Sequence, residues 1–349
     1  MRYNDAFNCE PNWVSMKSYP FKTSVAPMLD WTDRHCRYFH RLLTQQTMLY
    51  TEMVTTGAIL YGKQDFLAYH DSEHPVALQL GGSEADAMAR CAELAQQRGY
   101  DEVNINVGCP SDRVQNGSFG ACLMAEPRSV ASCVKAMKKA VDIPVTVKTR
   151  LGIDEQDSDA FLYGFLDAVV DAGVDQLTLH ARKAWLKGLS PKENREIPEL
   201  QYDRVYAAKK RYPSVPIAIN GGIKSLEQVV QQLTQVDSVM VGREAYQNPW
   251  LLTQFDDLTC DSVMQHQPLD REQVARKMIP YIAAHIAQGG RAWHVVRHML
   301  GLFQAQKGGK KWRQYLSIKG PKAQHAEQLI EGAISFKNDS VTQLADLTN

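Results

Sequence analysis

From about residue 23 to about residue 245, short β-rich runs alternate with amphipathic stretches, and this alternation limits the fold more than any other feature of the chain. The runs fall at 24–26, 49–52, 76–80, 102–106, 145–149, 176–180, 217–219 and 238–241, eight in all. Between them, apolar residues recur at steps of three and four, as in Cys36, Phe39, Leu42, Leu43 and in Leu162, Leu166, Val169, Val170, which is the period of a helix with one buried face. Two stretches open on capping signatures, Ser83 with Asp86 and Ser225 with Gln228. Eight strands each followed by a helix predict an α/β chain closed into a (β/α)8 TIM barrel over residues 23–255; a doubly wound sheet is the alternative.

The alternation stops after Pro249. A polar stretch at 256–267 reads as a linker, and only helical patterns follow, among them Val274, Met278, Tyr281, Ile282 and Val295, Val296, Met299, Leu300, Leu302, Phe303. These predict a smaller all-helical C-terminal domain over 265–345, and residues 1–22, which have no periodicity, read as a loose extension. The net charge of zero conceals an asymmetry. Residues 271–320 hold ten Lys or Arg against the single acid Glu272, a local charge of +9 that leaves −9 on the rest. So few opposite charges over fifty residues fit a phosphate-binding surface better than an ordinary solvated face.

Other classes are set aside by composition. A hydrophobic content of 44% and a charged content of 22% describe a globular chain. No apolar run is long enough to cross a bilayer, and the first residues, with Asp5 and Glu10, do not read as a signal peptide, so a cytoplasmic protein is expected. The seven cysteines are odd in number and show no C-x-x-C spacing, which argues against a disulfide framework and against a metal site. Most are expected to be reduced and buried.

Active sites of such barrels lie at the carboxyl ends of the strands. The residues there are Ala26, Pro27 and Met28, Glu52, Gln79, Asn106, Lys148, His180, Asn220 with Gly221 and Gly222, and Gly242 with Arg243. Turn formation accounts for each Gly and Asn singly, but poorly for Gln79, Lys148 and His180, each of which ends an apolar run. The loops at Asn220–Gly222 and Gly242–Arg243 follow the last two strands, the usual phosphate site of the fold. Lys148 could be a Schiff-base nucleophile, an ion-pair partner or the positive charge beside a reduced flavin, and His180 could be a satisfied core histidine. A phosphate-bearing cofactor across the mouth, touched by Met28, Gln79, Lys148 and His180, accounts for all of them together. Cys109 lies after the fourth run between Gly108 and Pro110, on a loop whose shape those two residues set. A lone cysteine is usually a small buried hydrophobe, yet an ordinary thiol titrates near about 8.5 and is protonated at neutral pH, which suits an acid.

Ala26-Pro27-Met28-Leu29-Asp30, Asn106-Val107-Gly108-Cys109-Pro110, Lys148-Thr149-Arg150, His180-Ala181-Arg182 and Asn220-Gly221-Gly222-Ile223 occur in the order found in the tRNA-dihydrouridine synthase family. From about residue 22 to about 320, the chain resembles that family. The segment from Ser190 through Pro191, Lys192, Glu193, Asn194 and Arg195 to Glu196, together with Trp312-Arg313, resembles the subgroup acting on uridines 20 and 20a of the tRNA D loop. The resemblance implies an FMN-dependent, NADPH-driven reduction of the uracil C5=C6 bond, with hydride delivered to C6 and a proton from Cys109 to C5. It further implies that Ala26, Pro27, Met28, Gln79, Lys148, His180, Asn220, Gly221, Gly222, Gly242 and Arg243 hold FMN. The tRNA contacts would be Asn106 at the uracil, with Lys192, Arg195, Lys310 and Arg313; Lys310 stands where the family more often has arginine. A monomer without metal or membrane attachment is expected. Two other readings remain: an FMN barrel reducing a free pyrimidine, which has no need of a basic appendage, and a non-catalytic tRNA-binding protein, which has no need of Cys109, Lys148 and His180 at one mouth. A sugar-phosphate isomerase or aldolase using Lys148 would share the phosphate loops and be colourless.

Overall fold

A computed structural model describes residues 20–111, 117, 119–258 and 270–339. The expected extension up to residue 19, linker residues 259–267, positions 340–345 of the expected helical segment, Cys9 and Cys260 lie outside the described residues.

Eight parallel strands close into one barrel in sequence order, and each is followed by a helix. The strands are β1 (Thr23–Val25), β2 (Met48–Thr55), β3 (Val76–Gly81), β4 (Glu102–Val107), β5 (Val145–Thr149), β6 (Gln176–His180), β7 (Ile217–Asn220) and β8 (Ser238–Val241). The helices are α1 (Arg34–Arg41), α2 (Thr56–Tyr61), α3 (Ala85–Gln97), α4 (Pro127–Ala140), α5 (Asp159–Asp171), α6 (Tyr202–Arg211), α7 (Leu226–Leu233) and α8 (Arg243–Gln247). The expected closed barrel is therefore the one observed, and the doubly wound alternative is excluded by β1 pairing with β8. The second strand is longer than the expected run, because its register slips between Tyr50 and Met53 and pairing then resumes to Thr55. Of the two capping signatures, Ser225 caps α7 by accepting from the Gln228 N–H at 3.3 Å. Ser83 does not cap α3: the helix starts one residue later, after Glu84, and the Ser83 carbonyl accepts from Ser129 and Cys133 of α4.

Along each strand, alternate residues point outward to the helices and inward to the barrel axis. Outward residues such as Val103, Ile105, Val145, Val147, Leu177 and Leu179 are fully or almost fully buried and join the helices in one apolar cluster. Inward, Ala26, Met48, Tyr50, Ala77 and Met240 form a separate small cluster on one side of the axis. The other side is polar, lined by Gln79, Asn104, Asn106, Thr146, Gln176, Thr178 and His180, all buried.

Beyond the barrel come α9 (Arg271–Lys277), α10 (Ile279–Ala287), α11 (Ala292–Val296), α12 (Gly309–Lys319) and α13 (Ala326–Asn338). Of the expected helical pattern, Val274, Met278, Ile282, Val295, Val296, Met299, Leu302 and Phe303 are buried and Tyr281 and Leu300 half-buried, but α11 ends at Val296, so Met299 lies in a 3-10 turn and Leu300, Leu302 and Phe303 in the turns after it. The start of the expected linker is not free: Asp256 is buried and accepts from Thr44 Oγ1 and from the backbone N–H groups of Gln45 and Gln46 on the barrel.

The added helices meet the barrel at α1. Asp33, which caps α1 through the N–H groups of His35 and Cys36, also binds Arg297 at 2.6 Å and His298 at 3.1 Å. Burial raises the Asp33 carboxyl, but the hydrogen bond and charge of His298, the Cys36 N–H and His35 outweigh it and hold the group well below the carboxylate range. Burial pushes His35 and His40 of α1 down to about 3, with lesser help from neighbouring cations at both and against an upward pull of the Asp33 carboxylate on His35. Both imidazoles are thus neutral in the folded state, whereas in the unfolded chain they take up protons near about pH 6.5. Between those values the unfolded state binds more protons, so stability is lost as pH falls, and Asp33 adds a further loss below about 4. Urea unfolding midpoints should decline from pH 7 to pH 4.5, with a shallower decline in His40→Leu. A midpoint that does not move over this range would rule out the neutral, buried state of these rings.

Candidate active site

The carboxyl ends of the strands gather most of the expected residues at one mouth. Asn106 and Lys148 are register partners on β4 and β5, and His180 and Asn220 are partners on β6 and β7. Cys109 follows β4 on a loop fixed by its backbone. Asn106 Oδ1 accepts from the Gly108 N–H at 3.1 Å and the Cys109 N–H at 3.0 Å, and the Cys109 carbonyl accepts from the Ala121 N–H at 2.9 Å. The thiol is part-exposed and lies 3.5 Å from Ser111 Oγ. Beside it a cleft of about 330 Å³ runs between Pro110 and Ser111 on one wall and Gly188–Pro191 on the other. A larger cleft of about 500 Å³ is lined by residues that follow β8, among them Trp250, Arg271, Phe303 and Lys337, whereas the smaller one adjoins the Cys109 loop through Pro110 and Ser111 and is therefore the candidate substrate slot.

Electrostatics separate the roles. Burial, then Arg150, bring Lys148 down to about 7, and the sulfur of Cys109 pulls it back upward. An anion placed against this amine would hold its proton. His180 is held well below its ordinary value by burial and by Arg150, Lys148, Arg182 and Arg195, so it is a neutral ring at physiological pH. Arg150, the last residue of the Lys148-Thr149-Arg150 run, joins three segments: it donates to the carbonyls of Gly108, Lys183 and Asn194. Arg182 donates to the carbonyls of Pro198 and Glu196, while its buried Nε has no hydrogen-bond partner among the described residues. The signal that could have found both is a shared spacing, since each arginine follows its strand-end residue, Lys148 or His180, by two positions.

The glycines after β7 have a backbone that other residues rarely adopt. Gly221 and Gly222 have φ of +116° and +74°, and a Cβ on Gly221 would meet the His180 ring at 2.8 Å, so only glycine fits there. Asn220 ties the last two strands together by donating to the Met240 carbonyl at 2.8 Å. Gly242 faces Ala26, while Met28 sits in a turn whose carbonyl accepts from the N–H groups of Trp31 and Thr32. Glu52 braces the same turn by accepting from the Asp30 N–H at 2.5 Å. Arg243 is paired with Glu196 at 2.5 Å and donates to the Arg195 carbonyl, a counter-ion the sequence reading did not anticipate.

The donor set suits a flavin nucleotide. A cradle free of Cβ atoms next to a guanidinium fits a phosphate, and an amine with its pKa at about 7 fits the anionic edge of a reduced isoalloxazine. Among the described residues, no group of three or more His, Cys, Asp or Glu is arranged to hold a metal ion, and no helix is long and apolar enough to cross a membrane. The five cysteines in the described residues are free, three of them buried.

Residues 24–338 match the family model described as dihydrouridine synthase. The chain belongs to the dihydrouridine synthase family. Among its relatives, a tRNA-dihydrouridine(20/20a) synthase of Shewanella oneidensis is 60% identical over 321 residues, 92% of this chain and 95% of the relative. A protein of the same name from Salmonella typhimurium is 56% identical over 333 residues, 95% and 99% of the two chains. A complex of 2-naphthoyl-CoA reductase with 2-naphthoyl-CoA shares the fold at a TM-score of 0.50 and 11% identity, covering 68% of this chain and half of that protein. This dihydrouridine synthase is therefore an oxidoreductase of a flavin-dependent family. In it Lys192 and Arg195 are exposed on the loop that carries the short helix Glu193–Arg195, close to the mouth. Lys310 is exposed in the first turn of α12, and Arg313, one turn on, donates to Gln304 Oε1 at 3.0 Å.

Proposed function

We propose that this dihydrouridine synthase reduces the C5=C6 bond of uridines 20 and 20a in the D loop of tRNA, using FMN as cofactor and NADPH as reductant. The observation that carries this reading is the part-exposed Cys109 thiol, on a loop fixed by Asn106, at a mouth that also contains Lys148 and His180. FMN, when bound, supplies the hydride that adds to C6. Gly221, Gly222, Gly242 and Arg243 would hold its phosphate, Lys148 the N1 and O2 edge, and Gln79, His180, Asn220, Ala26, Pro27 and Met28 the ring system and its linker. Negative charge then develops on C5 and O4 of the uracil, and Cys109 delivers its proton to C5. Asn106 keeps one N–H after its bonds inside the protein, and that donor suits a uracil carbonyl.

A stacked base cannot reach the mouth, so the uridine must flip out of the RNA while the rest of the tRNA is gripped elsewhere. Residues 23–255 are proposed as the flavin-binding unit and 265–345 as the tRNA-binding unit, acting as a cytoplasmic monomer. Support comes from α12, where exposed Lys310 occupies the amino-terminal turn next to exposed Lys307, while Lys311 beside it donates to the Asp339 carbonyl at 2.6 Å. Cations are unfavourable at that end of a helix unless an anion joins them, and a backbone phosphate is such an anion. The identity to relatives named tRNA-dihydrouridine(20/20a) synthase supports the choice of positions. A free-pyrimidine reductase would have no use for these cations.

The test is a mass-spectrometric map of dihydrouridine in tRNA from cells with and without this protein. Dihydrouridine should vanish at positions 20 and 20a when the protein is absent and return when it is restored. Unchanged occupancy at both positions would refute the substrate assignment. The purified protein should also be yellow and release FMN on denaturation; a colourless preparation that takes up no FMN would refute the cofactor.

A further inference from the structure

A hydrogen-bonded chain of side chains runs inside the barrel, from its amino-terminal end to the Cys109 loop. Tyr50 and Thr146 each donate a hydroxyl proton to Glu102 Oε1 at 2.5 Å. Thr146 Oγ1 accepts from Asn104 Nδ2 at 2.8 Å, and Asn104 Oδ1 accepts from Gln79 Nε2 at 2.8 Å. Gln79 Oε1 then accepts from Asn106 Nδ2 at 2.7 Å, and Asn106 Oδ1 accepts the N–H groups of Gly108 and Cys109. All five residues from Glu102 to Asn106 along this path are buried, so water offers no substitute for a missing link.

The chain has a direction, and Glu102 sets it. Thr146 donates to Glu102 Oε1, and a hydroxyl has only one proton to give. With its proton committed to Glu102, Thr146 can only accept, so Asn104 must turn its NH2 toward Thr146 and its oxygen toward Gln79. The same step repeats at Gln79 and again at Asn106. Asn106 is left with its oxygen toward two backbone N–H groups. Were that amide reversed, its NH2 would face those N–H groups and both bonds that shape the loop would be lost.

We propose that Glu102, acting through Thr146 and Asn104, is a positioning residue for the acid: it fixes the orientation of the Asn106 carboxamide and thereby the backbone that presents Cys109. The same direction leaves Asn106 with only an N–H free for substrate and makes Gln79 turn its oxygen toward Asn106. This inference rests on Cys109 being the acid, and its test separates the two ideas. Thr146→Val removes the hydroxyl with almost no change of shape, Thr146→Ser keeps it, and Tyr50→Phe removes a donor to Glu102 without cutting the path to Asn106.

In the FMN-loaded full chain, the rate of Cys109 alkylation by iodoacetamide is followed against pH by peptide mass spectrometry, next to kcat and KM on tRNA. Thr146→Val should change the alkylation rate by about fivefold, the factor set by one lost network hydrogen bond, and lower kcat with little change in KM. Thr146→Ser and Tyr50→Phe should follow the parent protein. Thr146→Val indistinguishable from Thr146→Ser, or Tyr50→Phe as altered as Thr146→Val, overturns the proposal. If Thr146→Val does not fold, Asn104→Ser cuts the same path one link further on and is judged by the same readings. Full turnover by Cys109→Ala would instead refute the acid assignment, while the alkylation contrast would still report on the chain.

Discussion

Cys109→Ala will retain the fold and bind flavin as the parent does, yet its rate of dihydrouridine formation will fall by about 10² to 10⁴, the usual worth of a positioned proton donor. The variant is clean because the loop is held by backbone groups. The N–H groups of Gly108 and Cys109 go to Asn106, and the Cys109 carbonyl accepts from Ala121, none of which needs the sulfur. Loss of the thiol therefore removes the proton and little else. The readings are single-turnover dihydrouridine formation, flavin absorbance and tRNA affinity measured on one preparation. Cys109→Ser should remain slow, since an alcohol is a far weaker acid than a thiol. Turnover at the parent rate in the alanine variant would place the acid elsewhere.

Trp312→Ala will produce the largest loss of stability, about 3 to 5 kcal/mol. Trp312 is fully buried, packs edge-to-face on Phe303 with centroids 4.8 Å apart, and donates its indole N–H to the Met299 carbonyl at 2.9 Å. Alanine leaves a cavity between α12 and the chain before it, and strands that carbonyl without a donor. Because Lys310 and Arg313 lie on the same helix, tRNA affinity should fall with it, whereas flavin binding at the barrel mouth should persist in protein that remains folded. Urea unfolding with filter-binding to tRNA measures both. A loss below about 1 kcal/mol would show that the site collapses around the missing ring. Trp312 thus acts on RNA binding through packing, although in the sequence it reads only as part of a Trp-Arg pair typical of a subgroup.

Much of the candidate site was legible because strand ends in a closed barrel converge wherever the strands are. Locating the ends of β4, β5, β6, β7 and β8 was enough to bring Cys109, Lys148, His180, Asn220 and Arg243 to one mouth. The structural roles of Arg150 and Arg182 have no local signature, because both lie just beyond the strands and their partners are carbonyls on loops up to 44 residues away. Glu196 gave no sign of its pairing with Arg243, which is separated from it by 47 residues. Ser83 had the right spacing for a cap, but α3 starts after Glu84.

By itself the sequence determined the barrel, the basic helices and the loop with Cys109, since each is written in local period, local charge or adjacent Gly and Pro. Tertiary structure alone decided that the inner wall is polar on one side. A run such as Glu102-Val103-Asn104-Ile105-Asn106 alternates, but both faces of a barrel strand are buried, so the alternation does not say which set faces the axis. Closure turned the polar set inward, and there Glu102 meets Tyr50 and Thr146 across 52 and 44 residues of chain. Hydrogen bonds between residues so distant have no local signature. They exist only once the strands are neighbours, and the setting of the Cys109 loop depends on them.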